Sequence, residues 1–123
     1  MGLMKTILIV DNAHITLSLL KEEFTDAGYE VLATDAGEEA LAVLNNQSQN
    51  VDLVITNLRH AGPHGLEFIR LIKRVRPLLP VICHTALYEY QYLSPQDRPF
   101  DAFVEKSFDL TKLKEGVATL VHK

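Results

Sequence analysis

Five short runs of apolar residues recur at nearly regular intervals along the chain. They lack the alternation of apolar and polar residues that is typical of a strand with one face in water, so they predict strands that are covered on both faces. The runs are Thr6–Val10, Glu30–Ala33, Val51–Ile55, Pro80–Cys83 and Ala102–Val104.

The segments between these runs predict helices, because their apolar residues recur at three- or four-residue steps. The apolar positions are Leu17, Leu20 and Phe24, then Ala40, Leu41 and Leu44, then Phe68, Leu71, Ile72 and Val75, and finally Leu110, Leu113, Val117 and Leu120. We expect Gly28 to end the first helix and the Asp109 carboxylate to cap the last. Before the fifth run, Pro95 and Pro99 interrupt the pattern, so we expect one or two helical turns that end before Pro95, followed by an extended segment.

The alternation of strands and helices is typical of an α/β fold. Parallel strands need right-handed crossovers, so we expect a flavodoxin-like, doubly wound sheet of five parallel strands in the order 2-1-3-4-5, with a shortened or irregular fourth helix. The length predicts a single domain, 1–123. In this order, the first and third strands are neighbours, which predicts that Asp11 and Asn57 meet at their carboxyl ends.

The composition narrows the classes of function. The net charge is −4, with 16 acidic and 12 basic residues and no block of Lys or Arg, so we expect neither a nucleic-acid surface nor an anionic-membrane surface. Cys83 is the only cysteine and lies in an apolar run, where it is predicted to be a small buried hydrophobe. The apolar run before Asp11 is too short for a signal peptide or a membrane span, so we expect a cytoplasmic chain.

Polar residues follow four of the predicted strands, and the motifs around them occur in a fixed order. The motifs are Ile7–Asn12, Asp52–Arg59, Gly62–Arg70, Val81–Ala86 and Phe103–Lys106. Together they resemble the receiver domain of bacterial two-component response regulators over essentially the whole chain. The resemblance implies that a partner histidine kinase passes a phosphoryl group to an acid at the end of the third strand. It also implies Mg²⁺ held by that acid and by an acidic pair after the first strand.

The resemblance assigns roles to individual residues. Thr85 and Lys106 match the residues that contact the phosphoryl oxygens, and Asp11 matches one member of the acidic pair. Phe103 matches the aromatic side chain whose inward or outward position reports the state of the domain to partners.

Two amides depart from this pattern. Asn57 stands at the position of the phosphoacceptor, and an amide oxygen has no negative charge with which to attack phosphorus. Asn12 replaces the second acid of the pair. We therefore expect no catalytic residue and no enzymatic activity. We also expect Mg²⁺ binding by Asp11, Asn12 and Asn57 to be weak or absent, with no other cofactor.

A third departure is Ser107, which replaces a proline that follows a cis peptide in the family. A cis bond before a non-proline residue costs about 2.5–4 kcal/mol, so we expect a trans bond or a remodelled loop.

The leading interpretation is a pseudo-receiver, a phosphorylation-independent protein-interaction module whose partner is a histidine kinase or another regulator. We hypothesise that Asn57 hydrogen-bonds Lys106 or Thr85 and so fixes one state. For the outer face of the fifth strand and last helix, a solvated surface is the default, and a homodimer interface is the alternative taken from the family.

Other interpretations stay open. In the first, a histidine such as His60 or His64 accepts the phosphoryl group, or joins His14 in a metal site. In the second, Asn57 is an engineered substitution in a working receiver. In the third, the crevice binds a flavin-like cofactor, although the first loop lacks the glycines that cradle a phosphate. Three tyrosines either dock a partner or cover the sheet edge; they are Tyr88, Tyr90 and Tyr92.

Overall fold

The computed structural model describes residues 4–58, 65–86, 90–91 and 93–122. Five parallel strands form one sheet in the order β2-β1-β3-β4-β5. The strands are β1 Thr6–Val10, β2 Glu30–Thr34, β3 Leu53–Thr56, β4 Val81–Thr85 and β5 Ala102–Glu105. The helices are α1 His14–Asp26, α2 Gly37–Asn45, α3 Gly65–Val75 and α4 Thr111–Val121. The predicted flavodoxin-like fold and strand order are confirmed.

Amphipathic helices cover the sheet on both faces, with their apolar sides facing it. Ile7 and Ile9 of β1 belong to one core cluster, together with residues of α1 and α4. Leu8 and Val10, which point the other way, belong to a second cluster with residues of α2 and α3. Because both faces of the sheet are buried, successive residues of the central strands are mostly apolar, which explains the unbroken runs.

Gly28 ends α1 as predicted. Its φ of 97° lies in the left-handed region, which glycine adopts without a steric penalty. Its N–H donates to the Thr25 carbonyl at 3.1 Å, and the Tyr29 N–H donates to the Phe24 carbonyl at 3.0 Å. These two bonds form a Schellman motif, which satisfies carbonyls that the end of the helix would otherwise leave free.

The prediction for the Asp109 carboxylate is confirmed in part, because it bonds the start of α4 from one residue before the N-cap position. It accepts the backbone N–H of Thr111, the first residue of α4, at 2.9 Å, while Leu110 occupies the N-cap position. Hydrogen bonds from Thr111 lower the pKa of the Asp109 carboxyl because they favour its charged form.

The crossover between β4 and β5 differs in part from the prediction. Tyr90 and Gln91 are helical, and residues 87–89 and 92 lie outside the described part of the chain. Pro95–Asp97 forms a 3₁₀ turn where an extended segment was expected, so that prediction was wrong. Proline suits the first position of such a turn, since its φ is already close to the helical value and no N–H is needed there.

Within the described ranges, none of the helices is long and apolar enough to cross a lipid bilayer.

Candidate functional site

The candidate site lies at the carboxyl ends of the strands, where Asp11 follows β1 and Asn57 follows β3. Both residues are buried, with 2% and 4% of their surface exposed. The Asn57 side-chain nitrogen, Nδ2, donates to Asp11 Oδ1 at 3.2 Å and to Asn12 Oδ1 at 3.1 Å. The predicted meeting of Asp11 and Asn57 is therefore confirmed, and a hydrogen bond joins them.

Lys106, the residue that follows β5, contacts the same carboxylate. Its ammonium lies 2.9 Å from Asp11 Oδ2 and 3.2 Å from Asp11 Oδ1. The Lys106 backbone N–H donates to the Thr85 carbonyl at 2.9 Å, which fixes the lysine beside the end of β4. We call Asp11, Asn12, Asn57, Thr85 and Lys106 the carboxyl-end pocket.

The hypothesis that Asn57 bonds Lys106 or Thr85 was wrong. A charged carboxylate is a stronger acceptor than an amide oxygen, and Asp11 takes hydrogen bonds from both Asn57 and Lys106. The Asn57 side-chain oxygen, Oδ1, is buried and has no hydrogen-bond partner among the described residues. Rotating the amide by 180° would place that oxygen against the Asp11 carboxylate, so the acceptors fix its orientation.

Mg²⁺, which the resemblance implies, does not fit the residues present in the pocket. This ion prefers anionic oxygen ligands in near-octahedral geometry. Asp11 is the pocket's one carboxylate, and its oxygens already accept hydrogen bonds from Lys106, Asn57 and the Ala13 N–H. The ammonium occupies the place beside Asp11 that a cation would need. The described residues contain no group of three or more His, Cys, Asp or Glu side chains suited to a metal ion.

His84 is a buried polar residue next to the pocket. It is 2% exposed within β4, and its Nδ1 atom has no partner among the described residues. Burial, and to a smaller extent the Lys106 ammonium, lowers the pKa of the His84 imidazole from 6.5 to about 4, against an opposing effect of Asp11. The imidazole is therefore neutral at physiological pH. His84 is therefore a packed residue of β4.

The remaining predicted residues have varied outcomes. The His14 ring lies 2.8 Å from the Asp35 carboxylate on the surface. Cys83 is a buried thiol, as predicted. The peptide between Lys106 and Ser107 is trans, since the described residues contain no cis bond. His60, His64, Tyr88 and Tyr92 lie outside the described residues.

Phe103 lies on β5, and its ring stacks on that of Tyr90, with centroids 3.9 Å apart. Tyr90 therefore covers the sheet near its edge, which was one of the two interpretations of the tyrosines.

Sequence reasoning missed an apolar cavity beside the pocket. It has a volume of about 340 Å³ and lies between α1 and the loop from β5 to α4, with Leu19, His84 and Lys106 among its lining residues. Ile15 and Phe108 also line it, and they are 86% and 100% exposed. The sequence could have indicated these two residues, because both are large and apolar but do not belong to the repeating apolar positions of the predicted helices.

Comparisons with known proteins agree with this geometry. Residues 7–118 match the family model for the response regulator receiver domain. The transcriptional regulatory protein GlrR of Escherichia coli K12 is 40% identical over 80 residues, which cover 65% of this chain and 18% of that protein. The chain thus spans less than a fifth of the length of GlrR. Sporulation initiation phosphotransferase F of Bacillus subtilis is 27% identical over 113 residues, which cover 90% of this chain and 89% of that protein.

Solved structures of one relative are also similar. The response regulator TrrA of Thermotoga maritima, in complex with Mg²⁺ and BeF, is 38% identical with a TM-score of 0.84, covering 95% of this chain and 99% of that one. TrrA in complex with the histidine kinase ThkA is 36% identical with a TM-score of 0.81, covering 95% and 98% of the two chains.

Proposed function

Because this chain belongs to the response regulator receiver family, we propose that it is a receiver domain that accepts no phosphoryl group at Asn57 and acts by binding a protein partner. It works in a two-component system without enzymatic activity of its own. The observation that carries the proposal is the Asn57 amide, which donates to Asp11 and Asn12 at 3.2 Å and 3.1 Å.

The amide suits a pocket without metal. Two carboxylates at this separation would repel each other unless a cation lay between them. Here the second carboxylate is replaced by the Asn57 amide, whose NH₂ group donates to Asp11. The Lys106 ammonium neutralises the negative charge of Asp11. The charge of the Asp11 carboxylate is therefore balanced within the pocket without Mg²⁺ or phosphate, which supports a fixed state.

The phosphoryl part of the proposal is tested with acetyl phosphate and Mg²⁺, followed by intact mass spectrometry. We expect no adduct on the wild-type chain and an acid-stable, base-labile acyl phosphate on the Asn12→Asp/Asn57→Asp double variant. Asn45→Asp, the same change at an exposed position of α2, is the matched control and should remain unlabelled. A phosphoryl adduct mapped to the wild-type pocket would contradict the proposal. Alkali-stable, acid-labile phosphate would instead indicate a phosphohistidine, the alternative that involves His60 or His64.

For the partner, we propose a histidine kinase that docks on the face formed by Ile15 and Phe108. These side chains are 86% and 100% exposed beside an apolar cavity, and exposed apolar groups around a cavity are typical of protein interfaces. The similarity to TrrA, which has been solved in complex with a histidine kinase, supports this choice of partner.

The docking proposal is tested by biolayer interferometry against purified histidine kinases from the source genome. We expect one kinase to bind the wild-type chain equally with and without ATP, and Ile15→Asp to weaken that binding by about tenfold or more. Leu78→Asp is the matched control, because Leu78 is also exposed, at 96%, but does not line this cavity. Equal loss of binding in both variants, or no binding by any kinase, would count against this face.

A further inference from the structure

The crossover between β4 and β5 carries a cluster of side chains that the sequence patterns do not predict. The rings of Tyr90 and Phe103 are nearly parallel, with centroids 3.9 Å and planes 13° apart. The guanidinium carbon of Arg98 lies over the Tyr90 ring, 4.4 Å from its centroid. We call Tyr90, Arg98 and Phe103 the tyrosine clasp.

Besides lying over the Tyr90 ring, the Arg98 guanidinium forms hydrogen bonds in the same cluster. Its Nη1 donates to the Tyr90 hydroxyl at 2.7 Å, and its Nη2 donates to the Leu93 carbonyl at 3.2 Å. Its Nε is buried without a partner among the described residues. Burying an unpaired donor is unfavourable, so the ring contact and the two hydrogen bonds must offset that cost for the clasp to persist.

The clasp is connected to the carboxyl-end pocket through one short strand. Phe103 pairs in register with Cys83 of β4. Three residues further along the chain, Lys106 donates its N–H to the Thr85 carbonyl and its ammonium to Asp11. Movement of Phe103 together with β5 would therefore shift Lys106, which directly follows that strand.

We propose that the tyrosine clasp fixes Phe103 and β5 in one conformation, so that the chain's own side chains set the state of the β4–β5 face without phosphorylation. This inference rests on the proposed function, because it states how a receiver without an acceptor acid maintains a single state.

Two ion pairs restrain the other part of the same crossover. Arg70 pairs with Asp97 at 3.0 Å and Lys73 with Asp101 at 2.7 Å, so that α3 holds the segment that leads into β5. These pairs are partly exposed and each contributes little. The stacked rings therefore make the larger contribution to holding Phe103.

The experiment follows the Phe103 ring and the Lys106 amide by NMR in the full chain, labelled with ¹³C in its phenylalanine rings and ¹⁵N throughout. Tyr90→Leu removes the ring and the hydroxyl, whereas Tyr90→Phe keeps the ring. Arg98→Met removes the guanidinium and keeps an apolar stem. The matched control is Tyr29→Leu, because Tyr29 also contacts one phenylalanine ring, Phe24, at 5.9 Å.

In the wild-type chain, we expect upfield-shifted Phe103 ring protons, because they lie over the Tyr90 ring. Tyr90→Leu should abolish this shift and move the Lys106 amide resonance, and Tyr90→Phe should preserve both. Tyr29→Leu should leave both signals in place. If Tyr90→Leu does not fold, Arg98→Met provides the test of the clasp. We expect this variant to broaden the Phe103 ring signals, because Tyr90 loses its contacts with the guanidinium.

Unchanged Phe103 signals in both Tyr90→Leu and Arg98→Met would overturn the proposal, as would a Phe103 shift that leaves the Lys106 amide unmoved. No phosphodonor or partner enters this measurement. Its failure is therefore distinguishable from a failure of the proposed function, which the phosphodonor experiment reports separately.

Discussion

The two ends of the sheet use polar side chains in different ways. At the amino ends of the strands, carboxylates complete the hydrogen bonding of the backbone. Asp101 Oδ2 accepts the Val81 N–H at 2.8 Å and the Lys73 ammonium at 2.7 Å. Asp52 Oδ2 accepts the Thr6 N–H at 2.8 Å. Each of these acids satisfies the first N–H of a strand, so its role is structural.

At the carboxyl ends, the polar side chains mainly bond one another. Asp11 accepts from the Asn57 amide and the Lys106 ammonium. Two buried atoms there, Asn57 Oδ1 and His84 Nδ1, have no partner within the described ranges. Unpaired buried polar atoms cost stability, and such costs are characteristic of functional sites. The partner of a carboxylate, rather than its presence, therefore distinguishes a structural acid from an acid in a functional site.

Gly65 packs directly against the Leu58 backbone at the carboxyl ends of the strands, and its substitution should have the largest effect. A Cβ on this residue would lie 2.6 Å from the Leu58 Cα, and Leu58 directly follows Asn57. Because backbone cannot move aside cheaply, we expect Gly65→Ala to lower the free energy of unfolding by about 3 kcal/mol in urea denaturation. If Gly65→Ala is as stable as the wild-type chain, the start of α3 can move away from Leu58 at little cost, and the prediction is wrong.

Gly116→Ala provides the control for this effect. Gly116 lies inside α4, and the nearest atom to its added Cβ would be Ile82 Cδ1 at 3.6 Å, an ordinary contact. Alanine is the better helix former, so we expect this change to raise the free energy of unfolding by about 0.5–1 kcal/mol.

The next effect is the acid sensitivity caused by His84. Its pKa is about 4 in the folded chain and 6.5 in the unfolded chain, so protonation favours unfolding. Stability should be constant above pH 6.5 and should fall by about 2–3 kcal/mol as the pH drops from 6.5 to 4. His84→Leu should remove this loss, whereas His14→Leu, at an exposed position, should retain it. Urea denaturation at a series of pH values measures the loss, and identical acid profiles in the two variants would contradict the assignment.

The sequence predicted the elements of the fold better than their ends. Strand β4 extends through His84 to Thr85, two residues beyond the apolar run that ends at Cys83. A strand is defined by the pairing of its backbone. In β4, this pairing continues through two buried polar residues, which a search for apolar runs does not detect. By contrast, Gly28 was predicted correctly because a helix stop at glycine depends on local backbone geometry alone.

Within the site, neighbours could be predicted but hydrogen-bond partners could not. The strand order alone places Asp11 beside Asn57, independently of the hydrogen bonds that their side chains form. Whether Asn57 bonds Lys106 or Asp11 depends on the exact positions of the side chains, which no sequence pattern encodes. The tyrosine clasp was missed for the same reason, since nothing in the sequence relates Arg98 to Tyr90.

The smallest expected loss of stability is at the amino end, where Asp101 accepts from Val81 and Lys73. Asp101→Ala leaves the partly buried Val81 N–H without an acceptor, so the free energy of unfolding should fall by about 1–2 kcal/mol in urea denaturation. Asp101→Asn keeps an oxygen for that N–H and loses only a partly exposed ion pair, so its loss should be smaller. If both variants lose the same stability, the charge of Asp101 rather than its bond to the strand would be the stabilising feature, and the proposed difference between the two ends would disappear.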